Sequence, residues 1–222
     1  MPGVSFLLPI EFDLVAVFLL ATTGVWAASR RGYDVVGAFV LAFVSGVGGG
    51  LLRDSIFLQE TPLVMQDPRY LWAVFAALVV GGLTHRVADR FEHLIAYVDA
   101  VAIGVYGVYG ANKALIAGLA PEAALLVGLC NAVGGGLIRD VLVREEPLLL
   151  KPGQLYALVT LAGCIVFVLL SHDYGMAVER AAWIAISVTL LLRVLAIRFN
   201  WTTSAFGRWQ FWHHDKSDKR DG

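Results

Sequence analysis

Residues 70–84, 123–138 and 155–170 contain no charged side chain, and none shows the polar face that a water-soluble helix would keep. A bilayer core about 30 Å thick needs ~20 helical residues to cross it, so runs of this kind are spans or parts of spans. Composition agrees: 58% of the 222 residues are hydrophobic and 16% are charged, too apolar and too charge-poor for a soluble domain. Seven spans are predicted, at about 11–28, 35–57, 70–84, 94–117, 122–143, 153–170 and 177–197. The fold class is therefore all-α integral membrane, in one transmembrane domain over residues 1–222. The start of the chain has no Lys or Arg before its apolar run and no clear cleavage context, so the first span is kept as a structural helix. Cys130 and Cys164 both fall inside spans and act there as small apolar residues.

Lys and Arg are unevenly shared between the loops. Arg30, Arg31, Arg86, Arg90, Arg144, Lys151, Arg198, Arg208, Lys216, Lys219 and Arg220 fall on one side, with Arg69 and Arg180 on the other. The positive-inside rule then puts the N-terminus outside and the C-terminus in the cytoplasm, an asymmetry that the net charge of -1 conceals. In the tail, residues 198–222, Trp201, Phe206, Trp209, Phe211 and Trp212 mix with basic residues, as in an interfacial anchor, and the charged end is expected to be disordered.

The chain also repeats itself. Ser45-Gly46-Val47-Gly48-Gly49-Gly50-Leu51-Leu52-Arg53-Asp54 matches Asn131-Ala132-Val133-Gly134-Gly135-Gly136-Leu137-Ile138-Arg139-Asp140. The same register pairs Asp13 with Asp99, Ala16 with Ala102, Gly24 with Gly110 and Glu60 with Glu146. Small gaps then align Pro62 with Pro147, and Leu71-Trp72-Ala73 with Leu155-Tyr156-Ala157. Repeat one covers about 11–86 and repeat two about 94–171, leaving the seventh span, about 177–197, outside. A unit with an odd number of spans re-enters the membrane from the opposite side, so the repeats are inverted. That arrangement recurs in transport proteins, whose solute path lies near the midplane where helices of both halves meet.

Two readings of the triplets Gly48-Gly49-Gly50 and Gly134-Gly135-Gly136 stand at this point. Each glycine lowers helix stability by roughly 1 kcal/mol relative to alanine, so the second and fifth spans could kink or unwind and line a pathway with freed carbonyls. Alternatively, small residues simply let two helices approach closely. The kink reading expects Gly49→Ala and Gly135→Ala to leave stability level or higher while lowering flux; the packing reading expects a clash. Ser45 and Asn131, just before the glycines, are candidate oxygens for the path or partners in ordinary interhelical hydrogen bonds.

Arg53-Asp54 and Arg139-Asp140 fall in or near the ends of their spans, where ionisable groups face protein or water. Neighbouring side chains diverge on a helix, so cross-repeat pairs, Arg53 with Asp140 and Arg139 with Asp54, are conceivable beside a structural salt bridge or snorkelling. Lys113 is the only Lys deep in a predicted span. It either closes a contact inside the bundle or feels the transmembrane field.

On these residues the chain resembles the trimeric intracellular cation (TRIC) channels, particularly prokaryotic members, whose relatives carry the description glycine transporter. The duplicated Gly-Gly-Gly-x-x-Arg-Asp string is the most specific element. The resemblance implies a seven-helix protomer, a homotrimer, and a potassium-permeable pore inside each protomer shaped by the second and fifth helices. It also implies a voltage-sensing role for a basic residue of the fourth helix, matched by Lys113. Animal members have Lys in and before the glycine motif, where this chain has Val47 and Val133, so their lipid regulation does not carry over. A monovalent cation channel is the leading expectation, and a secondary transporter of a small neutral solute such as glycine is the alternative, with Arg53 or Arg139 gripping its carboxylate. K⁺ is the expected permeant ion, with no cofactor, no metal and no catalytic residues; copies of the chain and membrane lipids are the expected partners, and no nucleic acid. No His-Glu-x-x-His, Gly-x-Ser-x-Gly or nucleotide-binding loop occurs. The Arg-rich inner loops and the lack of animal retention signals point to a bacterial or archaeal inner membrane.

Overall fold

In the computed structural model, residues 7–90, 94–150, 155–199 and 201 are described. The described residues form α1 (Ile10–Arg30), α2 (Val35–Leu52), a short α3 (Leu63–Gln66), α4 (Arg69–Arg90), α5 (Leu94–Ile116), α6 (Pro121–Leu142), α7 (Tyr156–Val168) and α8 (Val178–Arg198). Two wider π-type turns, Arg53–Phe57 and Leu169–Asp173, prolong α2 and α7. Seven of these helices, counting each π turn with the helix it prolongs, are long and apolar enough to cross a membrane, close to the predicted limits. Of the tail aromatics named above only Trp201 is described; Phe206, Trp209, Phe211 and Trp212 lie outside the described residues.

The repeat is visible as two trios, α1–α2–α4 and α5–α6–α7, joined where α1 meets α5 and α2 meets α6, with α8 packed on α5 and α7. Each trio opens in the same way: Gly32 and Gly118, both at positive φ, end α1 and α5, and the next amide returns to the last turn (Tyr33 to Ala28, Leu119 to Ala114). α5 is buried almost continuously from Asp99 to Ala114. α4 is the opposite, presenting Leu71, Trp72, Phe75, Val79, Leu83 and Val87 on its outer face. An apolar outer face of this kind is stable only against lipid or another protein surface.

α2 and α6 meet at the glycine triplets, and the contact is reciprocal. A methyl group on Gly49 would fall on the backbone carbonyl oxygen of Asn131, and one on Gly135 on that of Ser45, both far inside van der Waals contact. Because Gly49 faces Asn131 while Gly135 faces Ser45, the helices cross antiparallel. The same contact is echoed one helix out, where Gly24 packs on Ser45 and Gly110 on Asn131. The expected unwinding is absent: α-helix continues through both triplets, and the π turn begins only at Arg53. The physical reason is that an intact backbone on each side is what lets two helices touch without side chains between them.

The π turn also corrects the alignment of the repeats. Leu58 N–H reaches back to Arg53 O, whereas in the second repeat Val143 N–H reaches only to Arg139 O, so repeat one holds one extra residue here. Gln59 and Arg144, at φ 54° and 57°, then end the two helices, and the following amides of Glu60 and Glu145 bond to Asp54 O and Asp140 O. Glu60 therefore corresponds to Glu145 rather than Glu146. Further on, Tyr70 rather than Trp72 corresponds to Tyr156, since each tyrosine reaches an aspartate 57 residues earlier, Asp13 and Asp99.

Gly49→Ala and Gly135→Ala are accordingly expected to destabilise the detergent-solubilised protein, by about 1–3 kcal/mol or more from overpacking. Gly136→Ala, whose methyl would meet nothing closer than 3.6 Å, should leave stability unchanged or raise it by up to about 1 kcal/mol. Thermal unfolding of the three variants checks the ordering.

Candidate functional site

Past the crossing, the antiparallel helices carry Arg53 and Arg139 away in opposite directions, so the two guanidinium-bearing turns lie on the order of 15 Å apart along the helix axes. Each arginine is buried and sits at the centre of its own polar cluster.

In the first repeat, Arg53 forms a double fork. Its Nε and Nη2 donate to Asp54 Oδ1 and Oδ2 at 2.7 and 3.0 Å, and its Nη1 and Nη2 donate to Asp13 Oδ1 and Oδ2 at 3.0 and 3.3 Å. Tyr70 Oη donates to Asp13 Oδ2 at 2.5 Å, Nη1 also approaches Asn131 Oδ1 at 3.5 Å, and the guanidinium lies 5.1 Å from the Tyr109 ring centroid. Asp54 in turn accepts from Lys113 Nζ at 2.7 Å and from the Leu63 amide at 3.0 Å. Lys113 also reaches Glu60 Oε2 at 3.1 Å, which links the buried cluster to a half-exposed carboxylate.

The second repeat builds the same unit with a difference. Arg139 Nε donates to Asp140 Oδ1 at 2.9 Å, Tyr156 Oη donates to Asp99 Oδ2 at 2.6 Å, and the Leu148 amide donates to Asp140 Oδ2 at 3.1 Å. Arg139 Nη1, however, turns to Thr23 Oγ1 at 2.7 Å and stands 3.6 Å from Asp99 Oδ1, beyond hydrogen-bond range. α8 adds Arg193, fully buried with its guanidinium 4.9 Å from the Tyr156 ring centroid.

Several sequence expectations change on this geometry. Each arginine pairs with its own aspartate and not across the repeats, because the long side chain folds back onto the next residue's carboxylate. A charge buried in apolar surroundings is tolerable only when so paired. Ser45 keeps its hydroxyl on Leu41 O of its own helix, while Asn131 donates to Tyr106 O of α5. The triplets divide their roles. Gly49 and Gly135 carry the crossing, whereas Gly50 and Gly136 face Tyr106 Oη with Arg53, and Tyr156 Oη with Arg139. Gly48 and Gly134 lie against the partner helix, near Ile138 and Leu52.

Asp13, Asp99, Tyr70, Tyr156 and Arg193 were not among the sequence-derived site residues. Asp13 and Asp99 were already matched by the repeat register, and a duplicated carboxylate inside a span was the available signal. Arg193, in an unduplicated span, offered only its charge. Arg31 and Glu145 join the two repeats through an exposed ion pair of 2.9 Å. Among the described residues no His, Cys, Asp and Glu group has the geometry to hold a metal ion.

The comparisons with known proteins follow the same repeat. The family model described as Glycine transporter matches residues 11–86 and again 96–172, which are the two trios. An inner membrane protein of Escherichia coli strain K12, YadS, is 33% identical over 189 residues, 85% of this chain and 91% of that protein. A membrane protein of Deinococcus radiodurans is 37% identical over 153 residues, 68% of this chain and 71% of its own. Among solved structures, the TRIC trimeric intracellular cation channel orthologue from Rhodobacter sphaeroides superposes with a TM-score of 0.80 at 28% identity, covering 86% of this chain and 97% of that one. Seven apolar helices, a repeat matched twice by one family model and relatives named as membrane proteins lead to one assignment: this chain is an integral membrane protein of the glycine transporter family, with the fold of the prokaryotic TRIC channels.

Proposed function

We propose that the protein is a passive channel for monovalent cations, K⁺ included, with a path inside each protomer between the inverted repeats and three protomers in the assembly. The observation that carries this reading is the pair of buried ionic clusters, one on each side of the glycine crossing, inside an otherwise apolar bundle. Ionisable groups buried inside membrane-spanning helices are rare and by default mark ion or solute pathways. Gly50 and Gly136, facing the clusters with no side chain of their own, leave backbone and tyrosine hydroxyls beside the route. The Rhodobacter sphaeroides orthologue, a trimeric cation channel, supports both the transport class and the assembly.

Arg53 fills the first cluster and Arg139 closes most of the second, so conduction requires both side chains to shift. Lys113 is the residue best placed to start this. It holds Asp54 from within the bundle, and a full charge crossing the membrane field gains ~2.3 kcal/mol per 100 mV. A second reading, carriage of glycine, draws on the family description and on one structural feature: each cluster offers a guanidinium for a carboxylate and carboxylates for an ammonium group. A channel needs no coupling gradient, whereas a carrier needs an occluded, saturable site.

Purified protein in liposomes is expected to pass K⁺ down its gradient with no proton or Na⁺ gradient imposed. Uptake of labelled glycine that saturates and stops when the ion gradient collapses, with no K⁺ current, would replace this proposal with the carrier. For orientation, we propose from the uneven sharing of Lys and Arg that the N-terminus lies outside and the C-terminus in the cytoplasm of a prokaryotic inner membrane. Cysteines introduced at Pro68 and at the exposed Tyr174, in the α7–α8 connection, should then react with an impermeant reagent in intact cells, and cysteines at Arg31 and Arg90 should stay protected. Outside labelling at Arg90 would reverse the assignment.

A further inference from the structure

The two clusters are built from matching residues, yet they differ at one atom. In the first repeat both oxygens of Asp13 are occupied, by the fork of Arg53 and by Tyr70. In the second, Tyr156 takes Asp99 Oδ2, but Asp99 Oδ1 accepts no hydrogen bond although the residue is only 1% exposed. Arg139, the counterpart of Arg53, has been drawn off to Asp140 and Thr23 and leaves Oδ1 at 3.6 Å. A buried carboxylate oxygen with no donor is a costly arrangement that native structures keep for a reason.

We propose that Asp99 Oδ1 is a contact site for a monovalent cation in the second-repeat half of the path, left open because Arg139 is held by Asp140 and Thr23. The inference rests on the cation-path reading and names the atom at which the ion is bound. The charges support a site of this type. Asp99 and Asp140 are balanced by Arg139 and by Arg193, which lies against the Tyr156 ring. An arriving cation therefore meets an oxygen that accepts no hydrogen bond and is only loosely paired with Arg139, in a neutral surrounding, and binds weakly enough to leave, as conduction requires. Among the described residues the first-repeat cluster holds no carboxylate oxygen without a donor. Its unpartnered oxygen, Tyr109 Oη, carries no charge, and the ring lies under Arg53.

Thallous ion, a heavy stand-in for K⁺, provides the test on the full-length protein. Anomalous difference maps from crystals in a thallous salt should show a peak beside Asp99 Oδ1 and none beside Asp13. In liposomes, Asp99→Asn should raise the half-saturating Tl⁺ concentration by about threefold or more, because a full negative charge at the ion is lost. A purely structural role would lower the maximal flux with the amount of folded protein and leave half-saturation unchanged. Wild-type protein that conducts Tl⁺ but shows no peak at Asp99, or one at Asp13 instead, overturns the site and leaves the channel reading intact. Wild-type protein that conducts no cation at all removes the channel reading instead. Should Asp99→Asn not fold, the wild-type map decides the matter.

Discussion

The contact between two bare stretches of helix backbone, Gly49 on the Asn131 carbonyl and Gly135 on the Ser45 carbonyl, is what the rest of the molecule is arranged around. In a bilayer there is little hydrophobic drive for helices to associate, so close van der Waals approach and polar contacts must do it. Glycine allows the closest approach. Once α2 and α6 are locked antiparallel at that point, the turns that follow are carried to opposite sides, and each delivers an Arg-Asp pair to a different half of the bundle.

Those charged turns can be buried in the bundle because each finds a carboxylate from its own repeat, with Lys113 and Thr23 reaching in from the other. Arg53 is met by Asp13 of α1 and shares Asp54 with Lys113; Arg139 is met by Asp140 and, more loosely, by Asp99 of α5. The first span of each trio thus supplies a carboxylate, the second an arginine and an aspartate, and the third a tyrosine. Departures from symmetry are few and local. The extra residue in the π turn after Leu52, the hydrogen bond of Arg139 to Thr23, and the intrusion of Arg193 from α8 make the first cluster tight and the second loose. Two copies of one design thereby acquire different mechanical and electrostatic properties.

How far the sequence could be read follows from the kind of signal each feature leaves. Span number and limits are legible because a bilayer imposes a length and a hydropathy on every crossing segment. The repeat is legible from the duplicated glycine and Arg-Asp string. The pairing of Asp13 with Arg53 is not, because 40 residues separate them and nothing local says which carboxylate turns inward. The register beyond Arg53 was misread as well, since a π turn adds a residue without any composition of its own.

What the sequence determined by itself was the set of parts: seven crossing helices in two inverted copies, a glycine-rich stretch in each, and a few ionisable residues too deep for lipid. What only the tertiary structure decided was the use of the glycines and the partners of the charges. A run of three glycines has equal capacity to bend a helix or to let another helix touch it, and the choice depends on whether a second backbone is present at that depth. The same holds for the charges: the energy of a buried arginine is set by the groups within a few ångströms of it, and those come from distant parts of the chain.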